Sequence, residues 1–367
     1  MVKSVYIHIP FCRSKCHYCS FVSFERSDLK KDYLESLKKE ILNFYENEPL
    51  STIYFGGGTP SMLDACEFAN ILNLLNFTES TEVTTELNPE GISYDYLRAL
   101  SDLGINRLSF GCQTFNDDIL KLINRRHNSE QVEKVIDFAQ KAGFKNISLD
   151  FIYGLPSQTP QMFYDDLKRG ADLGVQHISL YGLKIEDGCY FSKNVPENLP
   201  DDDMHADMYL GAIELLKNCG FEHYEVSNFS NPGFNSMHNL TYWKNEEYYG
   251  FGVAAHGYKR GVRYGNKENL EDYIKNPIVR KEEHFLTTQE KLEEEIFLGF
   301  RIMSGVDIDY INNKYNIDFV QKYCEILNKY EDLKLLQKTN KGYALTNQGI
   351  LLSNVVLADF VETSTVD

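Results

Sequence analysis

An α/β fold built on parallel βαβ units is predicted for this chain of 367 residues. Short apolar runs rich in β-branched residues alternate with amphipathic helical patterns from residue 5 to residue 185. Such alternation is typical of parallel strands joined by crossover helices. From about residue 287 the pattern becomes mainly helical. We therefore expect a barrel or an open wound sheet, then an extension, then a small helical domain.

The predicted units follow one another as strand and then helix. The strands are predicted at residues 5–9, 53–55, 82–87, 105–110, 147–152 and 177–183. The helices between them are predicted at residues 29–44, 68–75, 94–103, 129–142 and 162–173. In the fourth helix the apolar residues recur at helical spacing, Ser129 is the expected N-cap, and Gly143 suits left-handed backbone after the last turn.

The last third of the chain predicts a winged-helix-like domain. Thr287 and Glu290 have the spacing of a capping box, and an apolar stripe with helical spacing follows them. A hairpin is expected where residues 335–337 and 343–345 are joined through Asn340-Lys341-Gly342. The expected divisions are a core at residues 1–185, an extension at 186–280 and a mainly helical C-terminal domain at 281–367.

Composition and charge exclude several classes of protein. There are 37 basic and 54 acidic residues, which give a formal net charge of −17. A negative field repels phosphate backbones, so no nucleic acid partner is expected. No run of about 18 apolar residues predicts a membrane span. The start of the chain lacks a signal peptide pattern, and the eight cysteines do not resemble a disulfide framework, so we expect a cytoplasmic protein with reduced thiols.

Three cysteines crowd the loop after the first strand. Cys12, Cys16 and Cys19 have the spacing C-x3-C-x2-C. Three thiolates on a short loop can hold three corners of a [4Fe–4S] cluster and leave the fourth iron open to a small chelating ligand. The alternatives are a zinc site completed by His17 and three unrelated surface cysteines. The spacing favours the cluster.

Other polar motifs fall where predicted strands end. Gly56-Gly57-Gly58-Thr59-Pro60 follows the second strand, and glycines allow a ligand to approach the backbone closely. Glu86 and Asp150 end the third and fifth strands, Gln113 follows the fourth, and Arg125 lies twelve residues after Gln113. Each could be an ordinary turn, helix cap or surface residue. Their common position at the carboxyl ends of parallel strands favours a shared binding site.

The segment Tyr6-Ile7-His8-Ile9-Pro10-Phe11-Cys12, with its cysteine spacing, resembles the cluster loop of radical S-adenosylmethionine (SAM) proteins. More narrowly, it is similar to relatives of oxygen-independent coproporphyrinogen III oxidase. The resemblance implies a partial (β/α)6 TIM-type barrel, a [4Fe–4S] cluster on Cys12, Cys16 and Cys19, and SAM chelating the open iron. The implied SAM-contacting residues are Tyr6, Tyr18, Gly57, Gly58, Thr59, Glu86, Gln113, Arg125 and Asp150.

Two features separate this chain from the oxidase pattern. Phe21 stands where that pattern has a fourth cysteine. The segment His238-Asn239-Leu240-Thr241-Tyr242-Trp243 matches the H-N-x-x-Y-W signature of HemW-type haem chaperones, which implies haem contacts from His238, Asn239, Tyr242 and Trp243. A neutral imidazole can ligate haem iron, and aromatic rings can pack on the macrocycle. The alternatives are core aromatics with a satisfied loop histidine, or His256 or His223 as the ligand.

The leading hypothesis is therefore a haem chaperone that carries a [4Fe–4S] cluster and SAM and delivers haem to acceptor haem proteins. The alternative is an enzyme, an oxygen-independent coproporphyrinogen III oxidase that decarboxylates two propionates. RNA modification is a third class, which the net charge opposes. The sequence leaves open whether SAM is cleaved, whether the acceptor brings the chain to a membrane surface, and whether the chain forms a homodimer.

Overall fold

The computed structural model describes residues 2–361 and confirms the predicted parallel α/β core. Strands β1 to β6 pair in chain order, and every pair among them is parallel. The strands are β1 (Ser4–Ile9), β2 (Thr52–Gly57), β3 (Glu82–Leu87), β4 (Arg107–Gln113), β5 (Ile147–Tyr153) and β6 (His177–Gly182). The helices are α1 (Lys30–Phe44), α2 (Ala65–Leu72), α3 (Tyr94–Asp102), α4 (Asp117–Leu122), α5 (Ser129–Lys141) and α6 (Pro160–Asp172).

The extension adds strands to both edges of this sheet. Its strands are β7 (Glu222–Glu225), β8 (Asn228–Ser230), β9 (Tyr248–Phe251), β10 (His256–Lys259), β11 (Val262–Gly265) and β12 (Glu282–Phe285). Its helices are α7 (Tyr190–Lys193), α8 (Asp202–Asn218), α9 (Met237–Trp243) and α10 (Leu270–Lys275). Over residues 2–361 the strand order is β12-β11-β10-β9-β1-β2-β3-β4-β5-β6-β8-β7, and β9 lies parallel to β1. The order does not close on itself, so the barrel is partial, as expected.

The C-terminal part is mainly helical with a small sheet of order β13-β15-β14. The predicted capping box is present, because Thr287 and Glu290 exchange side-chain and backbone hydrogen bonds. The elements are α11 (Thr288–Gly299), β13 (Val306–Asp307), α12 (Ile308–Tyr315), α13 (Phe319–Lys322), α14 (Cys324–Asp332), β14 (Leu336–Lys338), β15 (Gly342–Leu345), α15 (Asn347–Leu351) and α16 (Ser353–Ala358). The predicted hairpin corresponds to β14 and β15. The divisions at residues 185 and 280 stay predictions.

Some helices begin at other residues than predicted, because of their N-terminal caps. The N-cap of α5 is Asn128 and not Ser129, because the Asn128 side chain accepts from the backbone of Gln131 and completes a capping box. Helix α2 begins three residues before its predicted start, because Asp64 and Glu67 form a capping box there. Helices α4 and α9 were not predicted. Both are shorter than two turns, so neither shows a clear helical period.

The barrel strands have an apolar outer face and a polar inner face. In β1, Val5, Ile7 and Ile9 are fully buried in the main hydrophobic core. Tyr6 and His8 alternate with them and share a hydrogen bond of 3.0 Å. Because the inner faces of neighbouring strands converge, the barrel contains a column of polar and aromatic side chains. No helix among residues 2–361 has both the length and the apolar character that crossing a membrane requires.

Candidate functional site

The three cysteines lie at the carboxyl ends of the barrel strands, on the loop after β1. All three are free thiols, half-buried, and border one cavity of about 470 Å³. The backbone N–H of Cys12 donates to Phe24 at 3.0 Å, which closes the loop on itself. His17 does not complete a Cys3His set: its ring stacks on Tyr190 at 4.1 Å and its Nδ1 lies 2.9 Å from the Leu122 carbonyl.

A hydrogen-bonded chain supports the sulfur atoms. Arg125 donates to the Asn88 side chain at 2.8 Å, Asn88 donates to Thr59 at 3.2 Å, and Thr59 donates to Cys12 Sγ at 3.4 Å. A second Arg125 nitrogen lies 3.6 Å from Cys16 Sγ. Donors directed at sulfur stabilise bound thiolates and tune a cluster. The pattern explains why a half-buried arginine lies beside this loop.

The donor set fits a cluster better than a single ion. Among residues 2–361, no three His, Cys, Asp or Glu side chains converge on one metal position. Burial raises the pKa of the Cys19 thiol to about 11 and also raises that of Cys12, so metal binding must displace protons from these thiols. Three separated thiols around one cavity match the ligands of an iron–sulfur cube with one open corner.

The glycine stretch at the end of β2 has no room for side chains. Gly57 has a φ of +107°, and a Cβ there would lie 2.4 Å from the His8 imidazole. A Cβ on Gly58 would lie 2.8 Å from the Ile9 carbonyl oxygen. Close packing of β2 against the end of β1 therefore requires glycine at both positions, and it leaves backbone exposed along the cavity.

Two carboxylates, one from β3 and one from β5, project into the cavity. Glu86 accepts hydrogen bonds from the Tyr54 hydroxyl at 2.8 Å and the Gly57 N–H at 3.2 Å. The pKa of the Glu86 carboxyl is raised to about 7, mainly because the group is buried. Asp150 accepts from Ser109 at 3.0 Å, and burial raises its pKa as well. These groups can hold a cation when they are ionised.

Gln113 has an unusual backbone. Its φ is +68°, and the register of β4 against β5 shifts between Gly111 and Gln113. Left-handed backbone is uncommon for a residue other than glycine, and such strain concentrates at functional sites. The shift turns the Gln113 side chain into the cavity.

The structure brings together nearly all of the residues predicted for the cluster and for SAM. The predicted residues that line the cavity are Cys12, Cys16, Tyr18, Cys19, Gly57, Gly58, Thr59, Glu86, Gln113, Arg125 and Asp150. Tyr6 is the exception. It lies deeper in the barrel, where its ring stacks on Tyr54 at 6.2 Å.

The H-N-x-x-Y-W motif lies at the other end of the barrel. Helix α9 covers the amino ends of the first strands, where the Glu82 carboxylate accepts from the His238 backbone N–H at 3.0 Å. The His238 ring is buried, with Nδ1 2.8 Å from the Thr52 hydroxyl and Nε2 2.7 Å from the Tyr242 hydroxyl. Burial lowers its pKa to about 3, so the ring is neutral. His238 stacks on Tyr54 at 4.9 Å, inside the barrel.

The other predicted haem residues are less buried than His238. Asn239, Tyr242 and Trp243 are half-buried, and Tyr242 borders a cavity of about 650 Å³. His223 stacks on Phe229 at 4.2 Å, and His256 is exposed on β10. The motif residues therefore do not join the cysteines in one pocket.

Comparison with known proteins agrees with this geometry. The Radical SAM superfamily pattern matches residues 6–170, and the HemN C-terminal domain pattern matches residues 286–352. The "Heme chaperone HemW" of Lactococcus lactis is 40% identical over 98% of this chain and 97% of its own length. That of Bacillus subtilis is 36% identical over 98% of this chain and 99% of its own.

This chain belongs to the HemW family. The structure of the coproporphyrinogen III oxidase HemN from Escherichia coli aligns with a TM-score of 0.86 over 98% of this chain and 90% of that chain. At 24% identity, this likeness shows the shared fold alone. Membership in the radical SAM superfamily implies a [4Fe–4S] cluster and SAM.

Several residues of the site were not predicted from the sequence. Asn88 and Tyr54 complete the networks around Cys12 and Glu86. Arg107 is 2% exposed inside the barrel and faces the carboxylates there. Two-residue alternation along β2 and β4 would have placed Tyr54 and Arg107 inside. Phe21 is 67% exposed at the rim of the cysteine cavity.

Proposed function

We propose that this chain binds haem and delivers it to acceptor haem proteins, with a [4Fe–4S] cluster and SAM as resident cofactors. The observation that carries the proposal is identity of 36–40% over nearly the full length to proteins named heme chaperone HemW. The H-N-x-x-Y-W motif and Phe21, where the oxidase pattern has cysteine, support the same assignment.

The cavity residues have distinct roles in this proposal. Cys12, Cys16 and Cys19 hold the cluster, whose open iron supplies a chelation point and an electron for SAM. Gly57 and Gly58 present backbone groups to the methionine part of SAM. The carboxylates at the strand ends attract its cationic groups, while Gln113 and Arg125 supply hydrogen-bond donors.

The haem motif acts in two ways in this proposal. His238, with both ring nitrogens hydrogen-bonded, fixes α9 in the barrel opening and supports Tyr54 by stacking. Tyr242 lines the cavity of about 650 Å³, where its ring can contact haem, and Asn239 and Trp243 flank it on α9. This assignment makes His238 a positioning residue.

The test combines anaerobic cluster reconstitution, haem titration and haem transfer in one preparation. We expect stoichiometric haem uptake with a Soret change, followed by transfer to an apo-haem protein. Coproporphyrinogen, SAM and a reductant are supplied in a parallel reaction. Absence of haem binding would refute the carrier proposal, and catalytic accumulation of protoporphyrinogen would establish the oxidase alternative instead.

A further inference from the structure

A second large cavity lies outside the amino ends of the barrel strands, away from the cysteines. We call it the mouth groove, and define it by Tyr242 of α9, Tyr248 of β9, Arg263 of β11, His284 of β12, and Phe297 of α11. Its volume is about 650 Å³, within the range of small-molecule sites. The groove joins the motif helix to the C-terminal domain through α11.

The walls of the mouth groove suit a flat apolar ligand. Tyr242 and Tyr248 meet edge to face at 4.7 Å. Leu286 and Leu298 also line the groove, and Phe297 is 38% exposed beside them. Aromatic and aliphatic surface of this kind packs against a tetrapyrrole plane. Tyr242 is the link between this surface and the motif.

Among the described residues that line the mouth groove, His284 is the one histidine. A carboxylate binds one of its ring nitrogens, which is the usual arrangement for a histidine that ligates a metal. Its Nε2 lies 2.8 Å from Glu290 Oε1, while Glu290 Oε2 accepts from the Thr287 backbone N–H at 2.7 Å. A carboxylate that fixes one ring nitrogen orients the imidazole and raises the basicity of the other nitrogen. The His284 side chain is 61% exposed, so iron can reach it.

Within residues 2–361, the carboxylates of the groove wall are engaged in hydrogen bonds or an ion pair, although they outnumber its single arginine. Arg263 pairs with Glu294 at 2.7 Å, and Glu293 accepts from Gln289 at 2.7 Å. Glu290 serves the capping box as well as His284. The acidic side chains on α11 therefore have partners, and the Arg263 guanidinium offers further donors for a ligand carboxylate.

We propose that the mouth groove is the haem site and that His284, rather than His238, supplies the axial ligand. This inference rests on the proposed haem-binding function and adds the place and the ligand. The iron bonds to the ring nitrogen of His284 that Glu290 leaves free, the macrocycle packs on Tyr242 and Phe297, and the propionates face solvent.

The test compares haem with metal-free protoporphyrin IX on the full, cluster-reconstituted chain. His284→Ala should weaken haem binding at least tenfold and abolish the spectroscopic signature of axial histidine, while protoporphyrin binding stays within twofold of wild type. Phe297→Glu should weaken both ligands, because it places a charge on the apolar wall. Both positions are exposed, so the fold should survive, and circular dichroism with iron content verifies this.

His256→Ala is the matched control, because this imidazole is also exposed on the extension but lies outside the groove. It should bind haem like the wild type. If the wild type binds no haem, the proposed function fails and the groove assignment falls with it. If the wild type binds haem and His284→Ala keeps the axial signature, or His256→Ala or a folded His238→Ala loses it, only the groove assignment is overturned.

Discussion

Glu86 offers a direct test of how the cysteine cavity holds a cation. Its carboxylate lies between the Tyr54 hydroxyl and the Gly57 N–H, and burial raises its pKa to about 7. SAM carries a sulfonium cation, so it should bind the ionised carboxylate more tightly than the protonated acid. Glu86→Gln keeps the shape and removes the titration.

The size of the expected change in SAM affinity follows from the pKa of Glu86. With a value of about 7, roughly one-tenth of Glu86 is ionised at pH 6 and roughly nine-tenths at pH 8. SAM affinity should therefore rise about tenfold between these pH values, which is about 1.4 kcal/mol. Glu86→Gln should bind SAM more weakly at pH 8 and lose this part of the pH dependence.

The same shift has a consequence for stability. Because the folded pKa lies above the unfolded value, the contribution of Glu86 is fully present below about pH 4.5 and is lost as pH rises through about 7. The loss is at most about 3–4 kcal/mol and is reduced by water in the cavity. In Glu86→Gln this part of the decline in the free energy of unfolding should disappear.

Anaerobic equilibrium dialysis of SAM against reconstituted protein at pH 6, 7 and 8 measures the binding. Iron content of each variant controls for cluster loss. Asp118→Asn, which changes an exposed carboxylate on α4 that does not line the cavity, is the matched control and should show the pH dependence of the wild type. An identical pH slope in wild type and Glu86→Gln would refute the assignment of Glu86.

Three further outcomes follow from the contacts. Cys16→Ala should leave iron and sulfide well below the roughly four of each per chain expected for an intact cluster, as measured by chemical analysis. His238→Ala should lower the free energy of unfolding by about 3 kcal/mol in urea titration, since two buried hydrogen bonds and a stacked ring are lost, while iron content holds. Glu40→Gln should cost about 3–5 kcal/mol, because it leaves the 9%-exposed Arg280 side chain without its buried counter-charge.

Local patterns were sufficient to predict the parallel βαβ core, whereas the partial barrel was implied by the family resemblance. Residues 82–87 form β3 with the predicted bounds. The cysteine spacing correctly predicted that three thiols lie on one loop. Polar residues at strand ends converged because parallel strands present their carboxyl ends on one side. Each of these inferences needs only the order of neighbouring elements along the chain.

The position of the haem motif could not be predicted in this way. It depends on the pairing of β9 with β1, which joins Val5 to Tyr249 across more than half of the sequence. That pairing brings α9 to the amino ends of the strands and turns His238 inward. The positive φ of Gln113 was also hidden, because it arises from a register shift against β5. Long-range pairing, rather than propensity, decides both features.

The distance between the cysteine cavity and the bound haem distinguishes a haem carrier from an oxidase. β1 spans six residues, so its ends lie about 20 Å apart at about 3.3 Å per residue. Hydrogen abstraction needs reacting atoms about 3–3.5 Å apart. A haem in the mouth groove therefore cannot react directly at the cysteine cavity, whereas an oxidase substrate must enter that cavity. Pulsed electron paramagnetic resonance between reduced cluster and ferric haem should give a separation of about 20 Å or more, and a separation near contact would refute the carrier geometry.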